Sequence, residues 1–211
     1  MLGALYDRAL DGEGRDCWVR HDNGEQRILP VWQWLGGRGA DEEFDAAVVG
    51  MCAGPTIELG CGPGRLVAML VERGVPAVGI DQSLTAVSMA RRRGAPAVCG
   101  DVFAPLPAAG CWQTVLLADG TIGLGGDPVR LLVRVADLLA PGGWCVAEVE
   151  PTASGVRSGW VRLESGDAVG PWFRWAWMGI DAAAVVAEQA GLALTAVEAI
   201  GQRVVVRLTK P

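Results

Sequence analysis

The 211-residue sequence predicts an α/β fold. In this reading a mostly parallel sheet carries helices on both faces, a C-terminal antiparallel β-hairpin and a small N-terminal cap. Three observations predict it. From Pro55 onward, short continuous apolar runs alternate with amphipathic helical stretches, the pattern of parallel strands buried on both faces. The first run, Thr56 to Leu59, enters a loop with Gly60, Gly62 and Gly64 at alternate positions and then a helix. Glycine permits φ > 0 and close ligand approach, and a new helix offers free N–H groups. The last two strand-like runs are joined through Gly201 by a turn too short for a crossover, so they pair antiparallel.

The elements follow in order. Residues 1–10 form a short helix with Leu2, Leu5, Tyr6 and Ala9 on one side. Cys17 to Leu29 reads as a hairpin turning at Asn23-Gly24. Pro30 opens a short helix through Leu35 that Gly36-Gly37 stops. Asp41 is the expected N-cap of a helix to about Met51. Residues 1–52 form the cap and 53–211 the core. In the core a helix spans Pro63 to Arg73, and strand Ala77 to Ile80 ends on Asp81. Ser83 caps a helix to Arg93, strand Ala97 to Gly100 ends on Asp101, and strand Thr114 to Ala118 ends on Asp119. Asp127-Pro128 opens an amphipathic helix, and Pro141-Gly142-Gly143 leads into strand Trp144 to Val149. The polar, Trp-rich stretch from Pro151 to Gly179 receives no element. Asp181 starts a helix from Ala182 to Ala190, and strands Ala193 to Glu198 and Arg203 to Leu208 close the chain.

Composition narrows the function classes. With 51% hydrophobic and 20% charged residues the chain is globular rather than disordered. A net charge of −6 without a long basic run argues against nucleic-acid partners. The Arg91-Arg92-Arg93 triplet suits the dipole at a helix C-terminus. Six cysteines without a C-x-x-C pair, and a single histidine, give no basis for a metal site. Free thiols fit a reducing compartment, and no signal segment or apolar run of spanning length is visible, so the expectation is a cytoplasmic protein with no membrane partner.

Open parallel sheets bind ligands outside the carboxyl ends of their strands, where Asp81, Asp101 and Asp119 fall. A carboxylate at Asp81 can accept from both hydroxyls of a ribose. Asp101 can accept from an adenine amino group, with the Val102 N–H available to a ring nitrogen. A glycine loop alone also suits dinucleotides, but Arg65 stands at the sixth position, so G-x-G-x-x-G is not met. Glu58-Leu59-Gly60-Cys61-Gly62-Pro63-Gly64, Ile80-Asp81-Gln82-Ser83, Gly100-Asp101 and Leu139-Ala140-Pro141-Gly142-Gly143 together resemble the class I S-adenosylmethionine (SAM)-dependent methyltransferases. The resemblance covers about residues 55–208. It implies a Rossmann-like seven-stranded sheet, S-adenosyl-L-methionine as cofactor, and methyl transfer to an O, N or S nucleophile of a small-molecule acceptor. It places the methionine moiety on Gly60, Cys61, Gly62 and Gly64 and sets Glu58 near the amino-acid end. The ribose falls on Asp81 beside Gln82, and the adenine on Asp101 and Val102. Ala118 and Asp119 occupy the family's fourth-strand motif. For Glu58 the other reading is a strand glutamate that holds the loop's own amides.

Asp119 is the first candidate to face the transferring methyl and His21 the second, with Tyr6 and Glu150 behind them. The Asn/Asp-Pro-Pro-Tyr tetrad is absent, which argues against methylation of nucleic-acid bases or glutamine amides. The chain has nine tryptophans, and they cluster in two groups, Trp18, Trp32 and Trp34 and then Trp160, Trp172, Trp175 and Trp177, with Trp112 and Trp144 apart. They suit either packing of the cap or a wall for an aromatic, apolar or amine acceptor. The glycine-rich segment from Gly120 to Gly126 reads as an edge of the acceptor pocket or a tight turn. Three other readings stay open: a non-catalytic module that binds SAM or its demethylated product (SAH), an NAD(P)-dependent oxidoreductase, and transfer of another SAM-derived group such as aminopropyl. Assembly as a homodimer is open as well.

Overall fold

A computed structural model of the chain describes residues 3–12, 17–36 and 40–211. Helix α1 (Gly3–Leu10) buries Leu5, Tyr6, Ala9 and Leu10 along one side, as the helical period dictates. Leu2, expected on that side, and Gly37, expected to stop the next helix, lie outside the described residues. Strands β1 (Trp18–His21) and β2 (Gln26–Ile28) form the expected hairpin. The Asn23 side chain accepts from the Glu25 N–H in its turn. Helix α2 (Val31–Trp34) is one turn long. Helix α3 (Ala40–Gly50) already includes Asp41, so Asp41 is not the N-cap. Its carboxylate instead accepts from the Gln33 side chain at 3.1 Å.

The core then alternates strand and helix: β3 (Thr56–Leu59), α4 (Arg65–Glu72), β4 (Ala77–Asp81), α5 (Leu84–Arg92), β5 (Ala97–Cys99), β6 (Trp112–Leu117), α6 (Pro128–Leu138) and β7 (Leu139–Val149). Ser83 and Asp127 cap α5 and α6 by accepting from the Ala86 and Arg130 N–H groups. Helix α4 starts two residues later than expected because Gly64, at φ +76°, occupies its N-cap. Strand β7 starts at Leu139, five residues early. Its ladder with β6 jumps from Leu139 to Trp144, so Pro141-Gly142-Gly143 ride inside the strand as an irregularity.

The Trp-rich stretch is not element-free. It contains β8 (Val156–Ser165), β9 (Ala168–Val169) and β10 (Phe173–Met178). Asp181, expected to open the following helix, accepts from the Gly155 N–H and the Ser154 hydroxyl instead. Helix α7 (Ala183–Gln189) and strands β11 (Ala193–Ile200) and β12 (Arg203–Thr209) complete the chain.

The main sheet has seven strands in the order β11-β12-β7-β6-β3-β4-β5, parallel except for the terminal hairpin. From central β3 the chain builds outward to β4 and β5, then returns to place β6 on the other side of β3. That reversal opens a crevice at the carboxyl ends of the strands, the usual ligand position of such sheets. Above it lies a second, antiparallel sheet in the order β10-β8-β1-β2, with β9 on β8. This sheet joins the N-terminal hairpin to strands more than 130 residues further on, for example through His21 opposite Val161. Among the described residues, no helix is long and apolar enough to cross a membrane.

Candidate active site

The floor of the site is the turn from β3 to α4. The Gly60 and Cys61 N–H groups donate to the Ile80 carbonyl at 2.8 and 3.0 Å, tying the loop to the end of β4. Gly64 cannot carry a side chain, since a Cβ there would lie 2.5 Å from the Ala90 Cβ. Cys61 turns inward against Gly79, and burial pushes its thiol up. Asp81 is buried, with Oδ2 accepting from Gly62 N–H and Oδ1 from Ser83 N–H, both at 2.8 Å. Burial raises its carboxyl, and those N–H groups oppose the shift. A carboxylate has about four acceptor positions, so Asp81 keeps capacity for ligand hydroxyls. Gln82 is exposed beside it. At the end of β5, Asp101 is exposed and accepts from the Phe103 N–H at 3.0 Å, while Val102 is buried.

Glu58 is buried, and its Oε2 has no hydrogen-bond partner. The reading in which it holds the loop's amides is therefore not what is seen: the Gly62 amide goes to Asp81. Burial pushes the Glu58 carboxyl well above the usual range, against the pull of the Arg65 cation. Thr121, whose methyl lies where a Gly60 Cβ would stand, has a second buried oxygen without a partner. Buried polar atoms are normally paired. Two orphaned oxygens beside a glycine loop that leaves the main chain open fit a ligand bearing a cationic, hydrogen-bond-donating end.

Asp119 stands after β6 in the left-handed region at φ +53°, held there by a charge network the sequence did not reveal. Its Oδ2 accepts from Arg65 Nη1 and Nη2 at 3.0 and 3.1 Å, and its Oδ1 from Arg203 Nη2 at 2.7 Å. Its N–H donates to Glu148 at 2.7 Å. Arg65 also grips both oxygens of Asp45 on α3, and Arg203 both oxygens of Glu148 on β7. The Arg203 guanidinium lies 3.4 Å from the centre of the Phe44 ring. The network thus joins α3, α4, the β6 end, β7 and β12 around buried Ala118. The only sequence signal was an arginine among the residues that α4 buries.

The roof comes from α1 and the second sheet. Tyr6 is buried, with its hydroxyl 3.3 Å from where a Gly62 Cβ would stand. Burial, with Asp81 next, raises its phenol well above the usual range. Trp34 packs edge-on to Tyr6, and Arg93 fastens the end of α2 by donating to the Leu35 carbonyl at 2.9 Å. Trp175 packs over Gly123 in the segment after β6. His21, the second candidate, is 5% exposed and stacks on Trp177 at 4.9 Å. Burial, then Arg27, lowers its imidazole below the usual 6.5. Glu150 donates its N–H to the Met178 carbonyl, away from the glycine loop. An open cleft of about 690 Å³ behind Gly125 and Gly126 is lined by Arg130, Ser158 and Arg174 and includes no residue of that loop.

Comparison with known proteins agrees with this geometry. Residues 57–147 match a family described as a methyltransferase domain. The chain is similar to the trans-aconitate 2-methyltransferase of Mycobacterium sp. (strain KMS), with 37% identity over 97 residues, 44% of this chain. The match spans only 37% of that relative's length. Among solved structures, a SAM-dependent methyltransferase from Bacteroides fragilis in complex with S-adenosyl-L-homocysteine superposes with a TM-score of 0.78 at 19% identity, covering 98% of this chain and 92% of the other. The 1,6-didemethyltoxoflavin-N1-methyltransferase of Burkholderia thailandensis gives 0.63 at 16% identity, over 86% and 81%. The centre of the chain thus matches a methyltransferase-domain family, and the seven-stranded sheet with its glycine loop shares the fold of solved SAM-dependent methyltransferases.

Proposed function

We propose that the protein is an S-adenosylmethionine-dependent methyltransferase acting on a small-molecule acceptor. The observation that carries this reading is the pair of orphaned buried oxygens, Glu58 Oε2 and Thr121 Oγ1, against a glycine loop whose neighbouring carboxylate, Asp81, is buried and oriented by two backbone N–H groups. Glu58 and the loop of Gly60, Cys61, Gly62 and Gly64 hold the methionine end, with Ala118 beside it. Asp81 and Gln82 hold the ribose, and Asp101 and the Val102 N–H hold the adenine. When bound, SAM supplies a methyl carbon activated by its sulfonium, which the acceptor's lone pair takes while the carbon–sulfur bond pair returns to sulfur. The chain's own task is alignment, which is worth many powers of ten in rate, and exclusion of water beneath Tyr6.

Both oxygens of Asp119 are engaged by arginines, so we assign it to anchoring the segment from Ala118 to Thr121. His21, buried and without a side-chain hydrogen bond among the described residues, is the better group to accept the acceptor's proton. The relatives' names refer to aconitate and didemethyltoxoflavin, both small molecules, in keeping with this acceptor class. Calorimetry with SAM, followed by mass spectrometry for SAH over an acceptor panel, tests the reading. We expect His21→Ala to bind SAM as wild type does and to lose about 10²-fold or more in turnover. Binding of NAD(H) but not SAM overturns the proposal, and SAM binding without SAH formation on any acceptor leaves a non-catalytic binder.

A further inference from the structure

The roof sheet presents two chemically different faces. Side chains alternate across a strand, and the registers place Arg157, Gly159 and Val161 of β8 opposite Trp177, Trp175 and Phe173 of β10. His21 of β1 lies opposite Val161, and Arg27 of β2 lies opposite Val19. These residues share the face turned toward α1 and the segment after β6, because Leu163 and Phe173 on it join the apolar cluster that includes Tyr6 while Trp175 covers Gly123. The charged strand residues on this face are both arginines. The sheet's strand carboxylate, Glu164, lies on the opposite face, bound by Arg20 and Arg162. Of the turn carboxylates near His21, Asp22 accepts from the Trp160 N–H and Glu25 is exposed.

Two groups on this face have polar atoms that no described side chain engages by hydrogen bond or ion pair. Arg157 is exposed, places its guanidinium 4.9 Å from the Trp177 ring centre, and feels the Glu25 carboxylate only from beyond ion-pair distance. His21 is 5% exposed, yet its ring nitrogens make no hydrogen bond with any described residue. Gly159 opens a gap on this face that is bordered by the Asp22 carboxylate and Trp177: a Cβ there would lie 3.3 Å from Asp22 Oδ1 and 3.7 Å from the Trp177 ring.

We infer that Arg157, Trp177 and His21 form the acceptor subsite and that it takes a planar acceptor carrying a carboxylate. This rests on the methyltransferase reading above. Trp175 and Trp177 supply flat apolar surface, and Arg157 supplies the two-pronged donor that matches a carboxylate. His21 meets the polar atom on the ring. A cationic amine is disfavoured, because Arg157 already lies over the Trp177 ring and would repel a second cation there.

The test uses protein loaded with SAH, its binding first verified by calorimetry, so failure of the methyltransferase reading appears separately as absence of SAH binding. The probes are 4-hydroxybenzoate and indole-3-carboxylate, their primary amides, and tyramine, followed by tryptophan fluorescence and calorimetry. At least one carboxylate should bind tenfold or more tighter than its amide, with tyramine weakest. Arg157→Gln should abolish that preference while SAH affinity and Tm stay unchanged. Arg157→Lys, with a point charge and no fork, should restore only part of it. Equal binding of carboxylate and amide, failure of both carboxylates to bind, a preference for tyramine, or a carboxylate preference that survives Arg157→Gln overturns the inference.

Discussion

Removing the Arg65 cation should be among the most damaging single changes outside the apolar core. Arg65 is 8% exposed and its five N–H donors are all used. Nε serves Asp45, Nη2 serves Asp45 and Asp119, and Nη1 serves Asp119 and the Gln33 carbonyl. Arg65→Met fills a similar volume but leaves Asp45, itself 4% exposed, without its cation. Breaking a buried pair by deleting one partner costs about 3–5 kcal/mol. For a chain of this size that is a Tm decrease of about 6–20 °C, read by differential scanning calorimetry. The distinguishing measurement is the double variant. Asp45→Asn alone should destabilise, yet in the Arg65→Met background it should recover stability, giving a coupling of about 1–3 kcal/mol. Strict additivity, or a Tm loss below 2 °C for Arg65→Met, would refute the view that this network holds the glycine turn to α3.

Three further outcomes are expected. Asp81→Ala should weaken SAM binding by about 1–3 kcal/mol, the range for charged hydrogen bonds, and isothermal calorimetry on the folded variant checks it. Gly64→Ala combines φ +76° with a Cβ placed 2.5 Å from the Ala90 Cβ and 3.0 Å from its Cα. It should lose about 2–5 kcal/mol from the left-handed conformation and overpacking together, seen as a lower urea midpoint. The Glu58 carboxyl is raised by burial, so the folded state keeps its proton to higher pH than the unfolded state does. The stability this confers is present below the usual value of 4.5 and is lost as pH rises through the folded value. Without SAM, the wild type should therefore lose Tm over that window more steeply than Glu58→Gln, and identical pH slopes would contradict the burial argument.

The main sheet was legible because each strand and helix of its centre announces itself by period and by punctuation. Gly60 and Gly64 break the chain where φ must be positive, and Ser83 and Asp127 mark helix starts that hold in three dimensions. The second sheet was harder to see. Its strands alternate Trp, Val, Arg and Leu with period two, but both faces carry arginine or tryptophan, whose long side chains mix apolar stem and polar head. No clean inside–outside contrast results, and the partner of β8 is a hairpin 144 residues away at the Arg20–Glu164 contact. The site divides the same way. Glu58, the glycines, Asp81, Asp101 and Asp119 are all recognisable at strand ends. What Asp119 does depends on Arg65 and Arg203, whose convergence is a property of the fold and not of any local pattern.

That long-range pairing also carries an entropic cost. The turns from Thr56 to Asp119 close shorter loops than the pairing of β1 with β8, which spans about 140 residues and costs more chain entropy to close. Nothing covalent or helical bridges the hairpin to β8 locally. The roof should therefore open and re-form as its own unit while the floor stays intact, as sub-global openings do elsewhere. In the proposed function the donor contacts lie on the floor, within the parallel sheet. The acceptor contacts of that reading lie on the roof, whose strands pair across most of the chain.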